Sequence, residues 1–268
     1  MSNMKQKILA CLPGDHPWQN HIHWFDTIDS TNTRAKEMAI SGAPHGTVLI
    51  AGTQTGGRGR LGRQFDSPAG QGVYLSVILR PECPPQGIMH LTCAAAVAMC
   101  DAVQKAAMFR PRIKWTNDLV FGGKKLGGIL TELSVSPQTG LVSYAVVGIG
   151  INCTQAAADF PAPLQDMAAS LSMVAGKPVD PARLAGEMIS ALHKMDQNLH
   201  NKAEILSCYR SDCMTVGQQI VLLRGEQRRY GTALDVSDDG GLLVRFTDGT
   251  VETVDSGEVS VRGMYGYI

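Results

Sequence analysis

The chain has 268 residues, 44% of them hydrophobic, and its 24 Lys plus Arg are balanced by 24 Asp plus Glu. That size and apolar content support a full core in one large domain, or in a large and a small one, and exclude a disordered chain. Zero net charge weighs against a general nucleic-acid or membrane-surface binder, so any cationic site must be local.

The first twenty or so residues precede the first clear element, and MSNMKQKILACLPGD carries too short an apolar stub for a signal peptide. His23 to Ile28 reads as a short strand. Ser30 or Thr31 then caps a helix running to about Ser41, ended by Gly42 and Pro44. Thr47 to Ala51 is a buried strand, and it feeds the run GGRGRLGR, Gly56 to Arg63. Val73 to Leu79 is apolar on both faces and reads as an internal strand.

Leu91 to Phe109, rich in Ala, Met and Val, is a core helix. Its longest uncharged run, Leu91 to Cys100, stops at Asp101, short of a membrane span. Arg112 to Trp115, Leu119 to Phe121 and Gly128 to Leu133 read as strands, with a hairpin turn at Gly122-Gly123. Leu141 to Ile151 is another buried strand. Pro178 to His200 is a helix with Asp180 as N-cap, Pro181 as first residue and an apolar stripe from Leu184 to Leu199. A shorter helix covers Lys202 to Tyr209. After Met214, closely spaced short strands with turns at Asp238–Gly241 and Thr247–Gly249 suggest a small β-barrel. The seven cysteines contain no CxxC pair, so they read as reduced thiols without a metal role, in a cytoplasmic protein.

Four groups of residues carry chemistry. Ser30-Thr31-Asn32 at a helix start is simple capping or a cluster that binds a polar, uncharged head. Gln54 to Arg63 places three arginines in six positions on a glycine-rich loop. Glycine permits close backbone approach and arginine a fixed fork of donors, which together suit phosphate or carboxylate. An RNA contact through the same arginines would need repetition and basic excess, and the chain has neither. In KWTNDLVFGGKKLGGIL, Lys114 to Leu130, Asn117-Asp118 is a turn or a site, and paired glycines flank Lys124 and Lys125. In VVGIGIN, Val146 to Asn152, Gly148 and Gly150 face the same way and leave a slot for a flat apolar ligand, unless they mark a bulge.

GGRGRLGR, SPAGQGVYLSVILRP (Ser67 to Pro81), KWTNDL, KKLGGIL and VVGIGIN stand in the order and spacing of the biotin protein ligases, also called biotin–[acetyl-CoA-carboxylase] ligases, and the chain resembles that family. The likeness is strong over Ile28 to Ile151 and looser through AASL (Ala168 to Leu171) and the C-terminal barrel. It implies an α+β catalytic domain, residues 1–213, with a mixed sheet flanked by helices. An SH3-like barrel follows, residues 214–268. It also implies a two-step reaction. Biotin and Mg²⁺-ATP give biotinyl-5′-adenylate, which then biotinylates one lysine of a biotin carboxyl carrier domain.

By position, the resemblance assigns Ser30, Thr31, Asn32, Gln54, Gly57, Arg58, Gly59, Arg60, Lys125, Gly128, Gly148 and Gly150 to biotin. It assigns Arg58, Arg60, Arg63, Phe65, Lys125 and Asn152 to ATP and the adenylate. Lys125 matches the lysine that bridges the biotin carboxylate and the α-phosphate. Phe65 stands where the family often has a tryptophan near the adenine. Arg60 acts in the anion clamp, Asp118 orients or deprotonates the incoming lysine, and Arg262 of the barrel reaches for the phosphates. No protein-held metal is implied. Some members begin with a DNA-binding winged helix. About twenty residues precede the catalytic region here, so a ligase without direct transcriptional control is expected. Members occur as monomers and as side-by-side dimers, so a homodimer is one expectation. A lipoate–protein ligase and a non-catalytic biotin- or nucleotide-sensing module are the alternatives; the barrel and the intact Arg58, Arg60, Asp118 and Lys125 favour the biotin ligase.

Overall fold

The computed structural model describes residues 3–255 and 260–263. Alternation of side chains along strands decides its layout. A helix α1 (Asn3–Ala10), a strand β1 (Ile22–Phe25) and a helix α2 (Thr31–Ile40) lead into β2 (Thr47–Ala51) and β3 (Gly72–Leu79). Helix α3 (Leu91–Ala107) precedes β4 (Arg112–Lys114), β5 (Asp118–Phe121), β6 (Lys124–Val135) and β7 (Val142–Asn152). These seven strands form one sheet in the order β1-β2-β3-β7-β6-β5-β4. Only β1 and β2 are parallel, so the sheet is mixed.

On one face, Val73, Leu75, Val77, Ala145, Val147 and Ile149 meet α3 and α5 (Pro181–Gln197) in the main core. Alanines at 94, 95, 98 and 102 are buried on α3, which lets its backbone lie close to its neighbours. On the other face, α2 sets Ala35 and Ala39 against Leu49, Ile78 and Val146. It covers only part of that face. The rest, toward β6, carries polar and glycine positions.

The second sheet is antiparallel, with β8 (Gln219–Arg224), β9 (Gln227–Val236), β10 (Leu242–Phe246), β11 (Val251–Val254) and β12 (Ser260–Gly263) in the order β11-β10-β9-β8-β12. It is the SH3-like barrel. It is bolted to the end of β4. Trp115 donates its backbone N–H to Thr215 Oγ1 and its indole N–H to Gly240 O, both at 2.9 Å. Helix α6 (Lys202–Asp212) closes the joint, with Arg210 donating to Val236 O and buried Tyr209 donating its hydroxyl to Thr116 O at 2.9 Å.

Three sequence expectations change. Residues 3–10 form α1, because Ile8 of α1 and Leu12 just beyond it pack into the main core beside α5. The reading that no stretch is long enough to span a membrane is corrected at Pro85–Ala107, 23 residues that pass by length and composition. Most of that stretch is buried inside the protein, as suits a core helix. Strand β6 starts at Lys124, not Gly128, since Gly122 and Gly123 both take positive φ and close a two-residue hairpin directly before it.

The Tyr209 hydroxyl gives a stability test. Tyr209→Phe strands the buried Thr116 carbonyl and is expected to cost about 1–3 kcal/mol. The loss appears as a lower urea midpoint at unchanged slope. An unaltered midpoint contradicts this account of the joint.

Candidate functional site

The uncovered sheet face supplies the floor. Because neighbours in register share a face, Tyr74 and Ser76 of β3, Gly148, Gly150 and Asn152 of β7, and Gly128, Leu130 and Glu132 of β6 all point to it. Helix α2 brings its N-terminus onto this floor. Ser30 caps it, its hydroxyl accepting from Thr33 N at 3.4 Å. Gln54 Oε1 accepts from Thr31 N (2.8 Å) and Thr31 Oγ1 (3.1 Å), while Gln54 Nε2 donates to Ser67 Oγ. Ser76 Oγ lies 2.8 Å from Thr31 Oγ1 and 2.7 Å from Asn32 Oδ1. Asn32 Nδ2 donates to Leu130 O and Glu132 Oε2. The polar triad of the helix start is therefore buried and held by its neighbours in one orientation.

The glycine–arginine loop folds back on itself. Phe65 N donates to Gly57 O, Gly59 N to Arg63 O at 2.7 Å, and Arg63 N to Arg60 O. Leu61 (φ 56°) and Gly62 (φ 72°) make its left-handed tip. The loop lies over the floor. Arg60 donates to Asn117 Oδ1 at 3.0 Å, and Asn117 in turn donates to Ile129 O. Burial pushes the Arg60 guanidinium down and Asp118 pushes it up; it falls on balance but stays cationic at any working pH.

Lys125 owes its direction to a β-bulge. Leu119 pairs with Gly127 but Val120 pairs with Lys125, so Leu126 is the extra residue. Leu126 and Leu119 enter the main core, and Lys125 joins Asp118 and Gly128 on the site face. There Lys125 Nζ donates to Asp118 Oδ1 at 2.6 Å. The Lys125 backbone is fixed from the other side, its N–H donating to Met167 O and its carbonyl accepting from Ala169 N.

Two cavities meet at Lys125. One, of about 130 Å³, is narrow and polar, and is lined by Ser30, Thr31, Gln54, Arg58, Arg60 and Asp118 among others. The other, of about 480 Å³, is mainly apolar, with Phe160, Leu164, Met167 and Ala168 opposite Asn152. Lys125, Arg63, Gln64 and Phe65 belong to both walls. Of the residues expected from sequence, Asn32, Gly59, Arg63, Phe65, Lys125, Gly128, Gly148 and Gly150 also line the first cavity. Asn152 lines the second alone, donating to Ala169 O. Gly57 lines neither and is buried beneath Phe65 O and Ser67 Oγ, where no Cβ fits. Arg262 stands in β12 opposite Val221, and its side chain lies outside the described residues. The barrel does reach the first cavity, through Val261.

The slot expected over Gly148 and Gly150 is filled from within the protein. A Cβ on Gly148 would overlap Asn32 Oδ1, and one on Gly150 would overlap the Phe65 ring. The glycines make room for those two side chains. Sequence reading left Asn117 as a turn or a site and gave no role to Lys114 or Glu132. Lys114 is buried in the wall of the first cavity. Glu132 is outside that cavity's lining, with Oε1 2.9 Å from Lys36 Nζ and Oε2 3.1 Å from Arg58 Nη1 and 3.0 Å from Asn32 Nδ2. Its one signal in the sequence is an acidic residue two and four places beyond Leu130 and Gly128 on the same face. Burial pushes the Glu132 carboxyl up, but donation from Lys36 and Asn32 and the charge of Arg58 outweigh that and hold it below the usual carboxylate range.

Two outcomes are expected. Asn32 is locked by its partners, so Gly148→Ala must shift the floor and is expected to cost about 1–3 kcal/mol. A urea midpoint equal to that of the wild type would contradict this. The lowered folded pKa of Glu132 means that its stabilisation is complete above the unfolded value of about 4.3 and disappears as pH falls through the folded one. Glu132→Gln should therefore flatten the acid limb of the stability profile, and an unchanged limb argues against the charged network.

Residues 24–152 match the model of the biotin/lipoate A/B protein ligase family, and residues 215–262 that of the biotin protein ligase C-terminal domain. The bifunctional ligase/repressor BirA of Bacillus subtilis is 37% identical over 85% of this chain and 70% of its own length. The biotin–[acetyl-CoA-carboxylase] ligase of Mycobacterium tuberculosis is 34% identical over 86% of this chain and 85% of its own. Among solved structures, the biotin protein ligase of Aquifex aeolicus in complex with biotin and ATP superposes with a TM-score of 0.77 at 29% identity, covering 91% of this chain and 99% of that one. With this site on this fold, and relatives matched along most of its length, the chain belongs to the biotin protein ligase family.

Proposed function

We propose that this protein activates biotin with ATP and transfers it to a lysine of a biotin carboxyl carrier domain, that of acetyl-CoA carboxylase by analogy with its named relatives. The observation that carries the reading is the meeting of two unlike cavities at Lys125. A polar cavity under the helix start suits a ureido head, which needs hydrogen-bonding partners in place. An apolar cavity beside Phe65 suits a purine ring, with Asn152 as its polar end. A carboxylate from the first and a triphosphate from the second would meet at the Lys125 ammonium.

In the first step a biotin carboxylate oxygen attacks the α-phosphorus, and the bond to the β-phosphate oxygen breaks as pyrophosphate leaves. Charge accumulates on the α-phosphoryl oxygens. Lys125, fixed by its backbone bonds, and Arg58, Arg60 and Arg63 of the loop are donors around that point, which is where electrostatic stabilisation acts. Their guanidinium forks match phosphate oxygens. In the second step the acceptor amine attacks the biotinyl carbonyl carbon and AMP leaves with the electron pair. Asp118, already placed by its bond to Lys125, takes or directs the proton that the amine loses. The adenylate is itself an activated mixed anhydride, so no enzyme nucleophile is needed.

Mg²⁺ fits this site as the nucleotide's own counter-ion. Among the described residues no three His, Cys, Asp or Glu converge, and the cavity walls offer only the carboxylates of Asp118 and Asp66. An ion carried in on the nucleotide would need no more than that, and it would supply charge neutralisation on the triphosphate. The seven cysteines are free thiols, which supports a reducing, cytoplasmic setting.

Biotin-dependent ATP–pyrophosphate exchange tests the first step. Lys125→Ala should lower it by at least about a hundredfold, the range for loss of one transition-state donor. Exchange near the wild-type rate in that variant would sink the assignment. Arg60→Gly should let the adenylate escape, read as increased labelling of non-cognate lysines in a bystander protein. Calorimetry should register biotin and not lipoate; preference for lipoate reverses the substrate.

A further inference from the structure

We propose that Glu132 is a positioning residue that latches the glycine–arginine loop over the polar cavity through its ion pair with Arg58. The inference rests on the function proposed above for what the latch retains, but the latch itself is read from the geometry. The backbone bonds inside the loop give it shape without tying it to the floor. Its cross-ties to the sheet include Arg60 to Asn117 and Arg58 to Glu132. Glu132 belongs to β6, two positions from Leu130, and is held independently of the loop. Lys36 of α2 bonds one carboxylate oxygen at 2.9 Å, and Asn32 bonds the other at 3.0 Å.

The two halves of the pair differ in the way a latch requires. Glu132 has about a quarter of its side chain exposed and keeps two partners if Arg58 leaves. The Arg58 side chain is 41% exposed, on a loop whose glycines at 56, 57, 59 and 62 leave its backbone permissive. The fixed half therefore stays in place if the exposed half opens and returns. Asn32 shares the oxygen that Arg58 uses, so the same carboxylate registers the loop against the floor of the cavity. A ligand lying between Asn32 and Arg58 is enclosed while the pair holds. Its escape, and that of an adenylate formed there, would wait on the pair breaking.

Hydrogen exchange of the ligand-free protein tests the latch without reference to catalysis. Glu132→Gln should speed exchange in residues 55–66 about two- to fivefold, the range for a partly exposed ion pair. Arg58→Gln, an exposed change that leaves the core untouched, should do the same. The double variant should open the loop no faster than Glu132→Gln alone, because the Arg58 pair is already gone there. In Arg58→Gln, which leaves the Lys36 and Asn32 bonds to Glu132 in place, peptides from α2 and β6 should not change. An unchanged loop, additive effects, or a rise spread through α2 and β6 in Arg58→Gln would overturn the latch.

The second arm follows the loss of preformed biotinyl-adenylate from the protein. Glu132→Gln should release it faster by the same factor and raise KM for biotin more than it lowers kcat. Unaltered release with a faster loop would overturn the retention role. If the wild-type protein forms no adenylate from biotin and ATP, the proposed function fails, and the exchange arm still decides the latch.

Discussion

The site depends on the single bulge at Leu126. In an unbroken antiparallel ladder, counting back from Gly128 would turn Lys125 toward the α3 face with Leu119, and Leu126 toward the polar cavity. An ammonium in that apolar layer would lose its hydration with no partner, a cost far above the net stability of most domains. One extra residue reverses both side chains. Leu126 is then fully buried in the core, and Lys125 meets Asp118 at the junction of the two cavities. The bulge is possible because the hairpin just before it is fixed by two positive-φ glycines, so the displacement cannot be absorbed by sliding the turn.

Around that point the electrostatics are asymmetric in a useful way. Arg58, Arg60, Arg63, Lys114 and Lys125 converge on a protein whose charge is otherwise balanced. Two of these cations, Arg60 and Lys125, are held by a neutral or anionic partner that can be exchanged for an anion. Arg60 rests on the Asn117 carbonyl and Lys125 on Asp118. The surrounding groups are oriented in advance by backbone contacts: Asn117 by Ile129 O, Lys125 by Met167 and Ala169, Asn32 by Leu130 O. Pre-orientation of this kind lowers the reorganisation needed when charge develops.

Much of this was legible because local rules and the fold agree. Asp180-Pro181, Gly122-Gly123 and the alternation through β3 each fix an element from nearby residues alone. The anion loop stood out because charge repulsion makes three close arginines costly without a shared partner. What stayed hidden depends on residues far apart in the chain. Glu132 acquires its role from Lys36, Arg58 and Asn32, 74 to 100 positions away. The glycines at 148 and 150 announced a space but not its occupants, since Asn32 and Phe65 arrive from other segments. Helix α1 was missed because its few apolar residues read as helical only once α5 is there to receive them.

The barrel's attachment follows from the same economy of contacts. The segment KWTND, running on from the end of β4, is shared by the polar cavity and the joint: Lys114 lines the first cavity while Trp115, its neighbour, donates to Thr215 and Gly240 of the second unit. Val261 returns from the barrel to line that same cavity. The two sheets thus close on one pocket from both sides of Trp115. A shift of the barrel moves Trp115 and with it the backbone that positions Lys114, Asn117 and Asp118. The barrel is therefore part of the site's wall, and its docking constrains the same residues that line the polar cavity.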